Sequence, residues 1–177
     1  LSVFILFFGF VVIRVWALKP PSAVKLTPIP VGEYDPAVWG KAYPLAYAGY
    51  QKNLEMASSP TGYGGSMKMQ KSEMQPELFT NFKGNPFSKD YTEDRGHPYA
   101  LEDLRESKRI GPTSKGACIT CKTPYIEQFY KESGWGFANE PLANLIEKSK
   151  HPVSCANCHD PETMNLRVIN PSFIEAM

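Results

Sequence analysis

Two short stretches constrain this chain more than any helix or strand propensity. Cys118-Ile119-Thr120-Cys121-Lys122 is followed farther along by Cys155-Ala156-Asn157-Cys158-His159, and together they hold all 4 cysteines of the chain. C-x-x-C-H reads as a c-type haem attachment site. The two thiols form thioethers and the adjacent imidazole binds the iron. A chain with two such groups must wrap flat macrocycles that fill space side chains would otherwise fill. In the first copy lysine stands where histidine is expected. A haem with histidine on both faces has no free coordination position, whereas one held on one side by an amine can bind a substrate on the other. The lysine therefore favours an enzyme over an electron wire. An ammonium has no lone pair to donate, so iron must displace a proton from Lys122, and ligation is expected to be lost at low pH.

Other readings of the cysteines are a redox dithiol and a zinc ribbon. A ribbon spaces its two pairs about 15–20 residues apart and leaves the following histidine without a role. The gap from Cys121 to Cys155 is longer than that, and His159 calls for a function.

The segment from Leu1 to Ile13 carries no charge, and Arg14, Trp16 and Lys19 follow it. Eighteen residues at helical rise span about 27 Å, close to the apolar thickness of a bilayer. Residues 1–18 read as a signal peptide, with small-residue cleavage candidates at Ala17 and Ala23, or as a retained anchor with Trp16 and Lys19 at the interface. Either reading exports the rest of the chain, which suits covalent haem. Net charge is +1, and no block of like charge points to nucleic acid.

Residues 19–34 hold Pro20, Pro21, Pro28 and Pro30 and read as an extended tether. From Asp35 the pattern is globular. Apolar spacing predicts a helix over residues 43–56, and helices are also expected over 98–109, over 123–132 as a continuation of the first motif, and over 140–150, with another starting at 172. The helix at 98–109 opens with proline and carries acids early and bases late, as the helix dipole favours. Residues 57–71 read as loop. No alternation is long enough to predict a strand, so the expected fold is mainly α with much irregular loop.

The lysine-bearing motif, with Asn85-Pro86-Phe87-Ser88-Lys89-Asp90-Tyr91, Arg95-Gly96-His97 and Leu104-Arg105-Glu106-Ser107-Lys108-Arg109 upstream, resembles the pentahaem cytochrome c nitrite reductases from Trp39 onward. Those enzymes reduce nitrite to ammonium with six electrons. The resemblance implies that Cys118 and Cys121 attach the active-site haem and that Lys122 is its proximal ligand. It implies that Cys155, Cys158 and His159 hold a second haem. Arg109 matches the active-site arginine, with Arg105 one turn earlier as its competitor and a helix-terminal cation as the alternative role. His97 matches the distal ligand of a further haem, whose attachment motif is absent here; ligation of the second haem is the other option. His151 reads as structural.

The same resemblance implies haem c as cofactor, two attached in this chain against five in the family. It implies calcium whose ligands lie outside this sequence, nitrite as substrate, a membrane quinol-oxidising cytochrome as electron donor, a homodimer and a periplasmic location. The family's remaining haem motifs and its catalytic tyrosine and histidine are not in this sequence. Residues 35–177 are thus expected to be the N-terminal part of a multihaem domain, inactive if isolated. The contrasting expectation is a small dihaem electron-transfer cytochrome that uses His97, His151 or a methionine as sixth ligands.

Overall fold

The computed structural model describes residues 25–55 and 67–177. The expected leader or anchor at 1–18 lies outside these residues. Among the described residues, no helix is long and apolar enough to cross a membrane.

Short helices dominate. Asp35 caps α1 (Pro36–Ala42) by accepting from the Ala37 N–H at 2.8 Å, with proline at the first helical position. Tyr43 then leaves helical geometry ahead of Pro44, at φ −132° and ψ 70°, so α2 (Pro44–Lys52) begins afresh instead of continuing α1. The helix expected over 43–56 therefore starts at Pro44 and ends at Lys52, in a 3₁₀ turn over Asn53–Glu55. Two short helices, α3 (Lys71–Met74) and α4 (Glu77–Asn81), have too few turns to show a period in sequence. A 3₁₀ turn at Pro86–Ser88 and another at His97–Tyr99 lead into α5 (Ala100–Glu106). Then come α6 (Ile126–Ser133), α7 (Leu142–Lys148) and α8 (Pro171–Ala176).

Two expectations need correction. The helix predicted to reach residue 109 stops at Glu106, and Ser107 is extended. The reason is a distant carboxylate: Asp90 accepts the Lys108 N–H at 2.8 Å, which takes that donor out of any helical ladder. The helix expected to run on from the first motif starts only at Ile126, because Pro124 holds Thr123 out of helical geometry.

Each cysteine motif rests on its own apolar cluster. The larger joins α5, α6 and α7 through Leu104, Phe129, Phe137 and Leu145, and takes in Ile119 from inside the first motif. The smaller joins Ile29, Trp39, Ala42 and Tyr43 to Ala156 from inside the second. Residues 25–34 contain no regular element, yet they pack from Lys25 on. Ile29 is buried, the Leu26 N–H donates to the Ala42 carbonyl at 2.9 Å, and Lys25 pairs with Glu162 at 2.8 Å.

Among the described residues the only β pairing is three isolated bridges, Gln70 with Thr92, Lys115 with Pro141 and His159 with Leu166. Two of them fasten the motifs. Gly116 donates to Glu140 O at 2.9 Å and Leu142 to Ser114 O at 2.9 Å, which ties the first motif to the start of α7. Arg167 donates to Cys158 O at 2.8 Å, which closes the loop after the second.

Candidate active site

The first motif folds as a 3₁₀ turn over Gly116–Ile119, and the Lys122 N–H donates to Ile119 O at 2.9 Å. Ile119 is fully buried, so it anchors the turn, while Cys118 and Cys121 are exposed thiols. The turn can sit this close to the core only because Gly116 lacks a Cβ. An added methyl would lie 2.3 Å from Phe137 O and 2.4 Å from Leu145 Cδ1. Behind the motif, the buried Thr123 hydroxyl donates to the His151 carbonyl at 2.7 Å, linking the two motif regions.

Beside this turn lies a cavity of about 410 Å³, lined by Pro86, Thr92, Ser107, Arg109, Cys118 and Lys122 among others. Cys118, one of the two cysteines expected to attach the first haem, therefore shares a wall with Lys122 and Arg109, while Cys121 does not line it. Arg109 reaches the cavity from the loop after α5, not from a helix terminus, which removes its reading as a helix C-terminal cation. Its guanidinium carbon lies 4.9 Å from the centroid of the Phe87 ring. Arg105 points elsewhere: it is absent from the cavity wall and donates to Ile146 O at 3.4 Å near the end of α7. His97 is exposed on its 3₁₀ turn and does not line the cavity. Its neighbour Arg95 is buried, donates to Asp103 at 2.7 Å and Glu102 at 2.8 Å, and stacks 4.3 Å from the Tyr99 centroid. In the Arg-Gly-His sequence, then, the arginine holds α5 in place.

The second motif is a 3₁₀ turn over Cys155–Asn157, in which the Ser154 N–H donates to Asn157 Oδ1 at 2.9 Å. His159 Nδ1 lies 2.8 Å from the Met164 carbonyl. A carbonyl can only accept, so Nδ1 carries the proton and Nε2 keeps its lone pair for a metal. The loop that presents this carbonyl is fixed: Asp160 Oδ1 accepts from Glu162 N, Thr163 N and Thr163 Oγ1 at 2.9–3.0 Å. Hydrogen bonds from Thr163 hold the Asp160 carboxyl below the usual carboxylate range. Met164 itself takes the left-handed conformation, φ 60°. On the other side, Tyr50 Oη donates to Val153 O at 3.1 Å, and burial pushes its phenol up to about 12, so it stays a donor.

This arrangement fits covalent haem at both motifs. Cys118, Cys121 and Cys158 are exposed and Cys155 is half-buried, on turns anchored by the buried Ile119 and Ala156, and the imidazole nitrogen is oriented by a carbonyl. It does not fit a zinc ribbon, since among the described residues no group of three or more His, Cys, Asp or Glu is gathered to hold a metal ion. Sequence reasoning assigned no role to Phe87 or Asp90. Both lie in the Asn85–Tyr91 segment that carries the family resemblance, which gave neither a role of its own.

A profile of the cytochrome c552 family matches residues 35–177. The cytochrome c nitrite reductase subunit NrfA of Nitratidesulfovibrio vulgaris is 35% identical over 171 residues, covering 85% of this chain and 32% of that protein. The cytochrome c-552 of Parabacteroides distasonis is 34% identical over 142 residues, covering 76% of this chain and 28% of that protein. Among solved structures, the catalytic subunit of cytochrome c nitrite reductase from Desulfovibrio desulfuricans, described with two calcium sites, superposes with a TM-score of 0.71 at 29% identity. That match covers 85% of this chain and 36% of the other. The chain thus spans about a third of the length of these relatives. The mainly helical fold is the one expected, and the chain belongs to the cytochrome c552 family.

Proposed function

We propose that this chain carries the substrate-binding side of an ammonia-forming nitrite reductase. In this reading Cys118 and Cys121 fix a haem c beside the cavity, and Lys122 is its proximal ligand. Cys155, Cys158 and His159 hold a second haem c. With one face held by Lys122, the haem would supply an open iron position and the electrons that reduce nitrite to ammonium. The remaining work belongs to the chain's own groups. Arg109 draws the anion into the cavity, and its fixed N–H fork can polarise the N–O bonds. His159, oriented by the Met164 carbonyl, would hold the iron of the second haem through Nε2, and that group would supply electron transfer. His97, exposed and one turn before α5, is available as distal ligand to a further haem.

The relatives' coverage supports a longer protein in which the remaining site residues, calcium ligands and dimer contacts lie beyond this sequence. A periplasmic setting and a membrane quinol-oxidising cytochrome as donor belong to the same reading. The observation that carries it is that Arg109, Cys118 and Lys122 line one cavity. Its test is the Arg109→Gln holoprotein, with nitrite affinity read from the Soret shift of the oxidised form. A loss of tenfold or more is expected for removing a charge-assisted pair of hydrogen bonds. Unchanged affinity would return the chain to the electron-transfer reading.

A further inference from the structure

We propose that Phe87 is a positioning residue for Arg109, an inference that rests on the reading of Arg109 as the nitrite-binding cation. Arg109 is exposed, and among the described residues no carboxylate pairs with it, although Asp94 and Asp103 also line the cavity. Asp103 is engaged by Arg95. A long cation of this kind would sample many rotamers unless something held it.

The partner present is the Phe87 ring, 4.9 Å from the guanidinium carbon. A ring face attracts a cation through its quadrupole without occupying the N–H edge. A carboxylate in the same place would take the bidentate fork and compete with nitrite. An aromatic platform therefore fixes the arginine and leaves its charge and donors for an anion.

The platform is itself fixed. The Asn85 side chain accepts the Phe87 N–H at 3.1 Å, and the Ser88 hydroxyl donates to Asn85 O at 2.7 Å. The Phe87 ring lies edge-on to Phe82 at 6.0 Å and tilted on Tyr91 at 5.1 Å. From the same segment, Asp90 grips the backbone N–H of Lys108, the residue before Arg109. Ring and carboxylate thus set side chain and backbone of Arg109 from one short turn, whose Pro86 is part of the cavity wall.

The test uses the full-length holoprotein and measures the nitrite dissociation constant of the oxidised form by Soret perturbation, together with KM and kcat. Phe87→Leu is expected to weaken nitrite binding between about twofold and about thirtyfold, the span of cation–π contacts. KM should rise in step and kcat/KM fall with it, while haem content stays put. Phe87→Tyr, which keeps the ring face, should bind within about twofold of the parent. In an Arg109→Gln background, Phe87→Leu should add nothing. Should Phe87→Leu fail to load haem, Phe87→Met carries the same expectation with less lost volume. The proposal is overturned if Leu and Met bind nitrite like the parent while Arg109→Gln does not, or if Tyr is as impaired as Leu. Unchanged binding in Arg109→Gln alone would instead overturn the reading of Arg109 itself.

Discussion

Asp90 is the most exacting place to test this account, because one buried carboxylate joins two stretches of chain and ends a helix. Its side chain is 3% exposed. Oδ1 accepts from Gln70 Nε2 and Oδ2 from Lys108 N, each at 2.8 Å. Gln70 in turn accepts the Tyr91 N–H at 3.1 Å. Truncation by Asp90→Ala strands both donors. A hydrogen bond to a charged group contributes about 1.5–3 kcal/mol. Lys108 and Gln70 can each recruit water in place of the lost acceptor, so the expected cost is about 2–4 kcal/mol, below the simple sum. Asp90→Asn keeps one acceptor but turns an amide toward the other donor, and should cost about 1–2 kcal/mol.

The pH dependence has a definite sign. Burial alone would raise this carboxyl. The hydrogen bonds from Gln70 and Lys108 and the charge of Lys108 outweigh it, and the group titrates below the usual range. A carboxylate depressed in the folded state contributes stability above its unfolded pKa of about 3.9 and loses it as pH falls through the folded value. Urea denaturation of the holoprotein, followed by far-ultraviolet circular dichroism, should show a parent-to-Asn gap that is flat from about pH 5 to 8. The gap should close below about pH 4, where a protonated Asp90 resembles asparagine. A cost under about 0.5 kcal/mol for Asp90→Ala, or an Asn gap as large at pH 3 as at pH 7, would refute the reasoning.

Gly116→Ala should destabilise by about 1–3 kcal/mol and lower haem loading at the first motif, because its methyl meets the Phe137 carbonyl and Leu145. Pyridine haemochrome content per chain measures it, and full loading would show that the turn can shift. Arg105→Gln should leave the nitrite dissociation constant within about twofold of the parent, since its guanidinium contacts the end of α7 and not the cavity. A tenfold loss there would mean that the two arginines have been assigned the wrong way round. In the full-length holoprotein, Lys122→His should keep its haem content and reduce nitrite more slowly, with an altered electron paramagnetic resonance signal for one haem. Unchanged turnover would make the lysine incidental.

The two motifs were legible in sequence because haem attachment is local chemistry. Two thiols at fixed spacing and the next side chain are enough, whatever surrounds them. The helices at α2, α5, α6 and α7 were also legible in sequence, but their ends were not. Pro44 and Pro124 moved two starts through steric limits on the residue before proline. The end of α5 depends on Asp90, which no window along the helix contains. The helices α3 and α4 are too short to show a period, and α1 owes its place to Trp39, buried against the second motif.

The site divides in the same way. Sequence alone determined that the chain carries two C-x-x-C motifs and that a lysine follows the first where a histidine follows the second. The resemblance favoured Arg109 and left Arg105 as its competitor, since the two lie about one helical turn apart and would share a face if the helix ran on. In the tertiary structure Arg109 lines the cavity and Arg105 does not. Asp90 removes the Lys108 N–H from the helix, the backbone turns extended at Ser107, and Arg109 swings onto Phe87 at the cavity wall while Arg105 stays with α7. The physical reason is that a coordinating group is defined by its own covalent neighbours. The direction of a long side chain is set by hydrogen bonds and ring contacts that arrive from elsewhere in the chain.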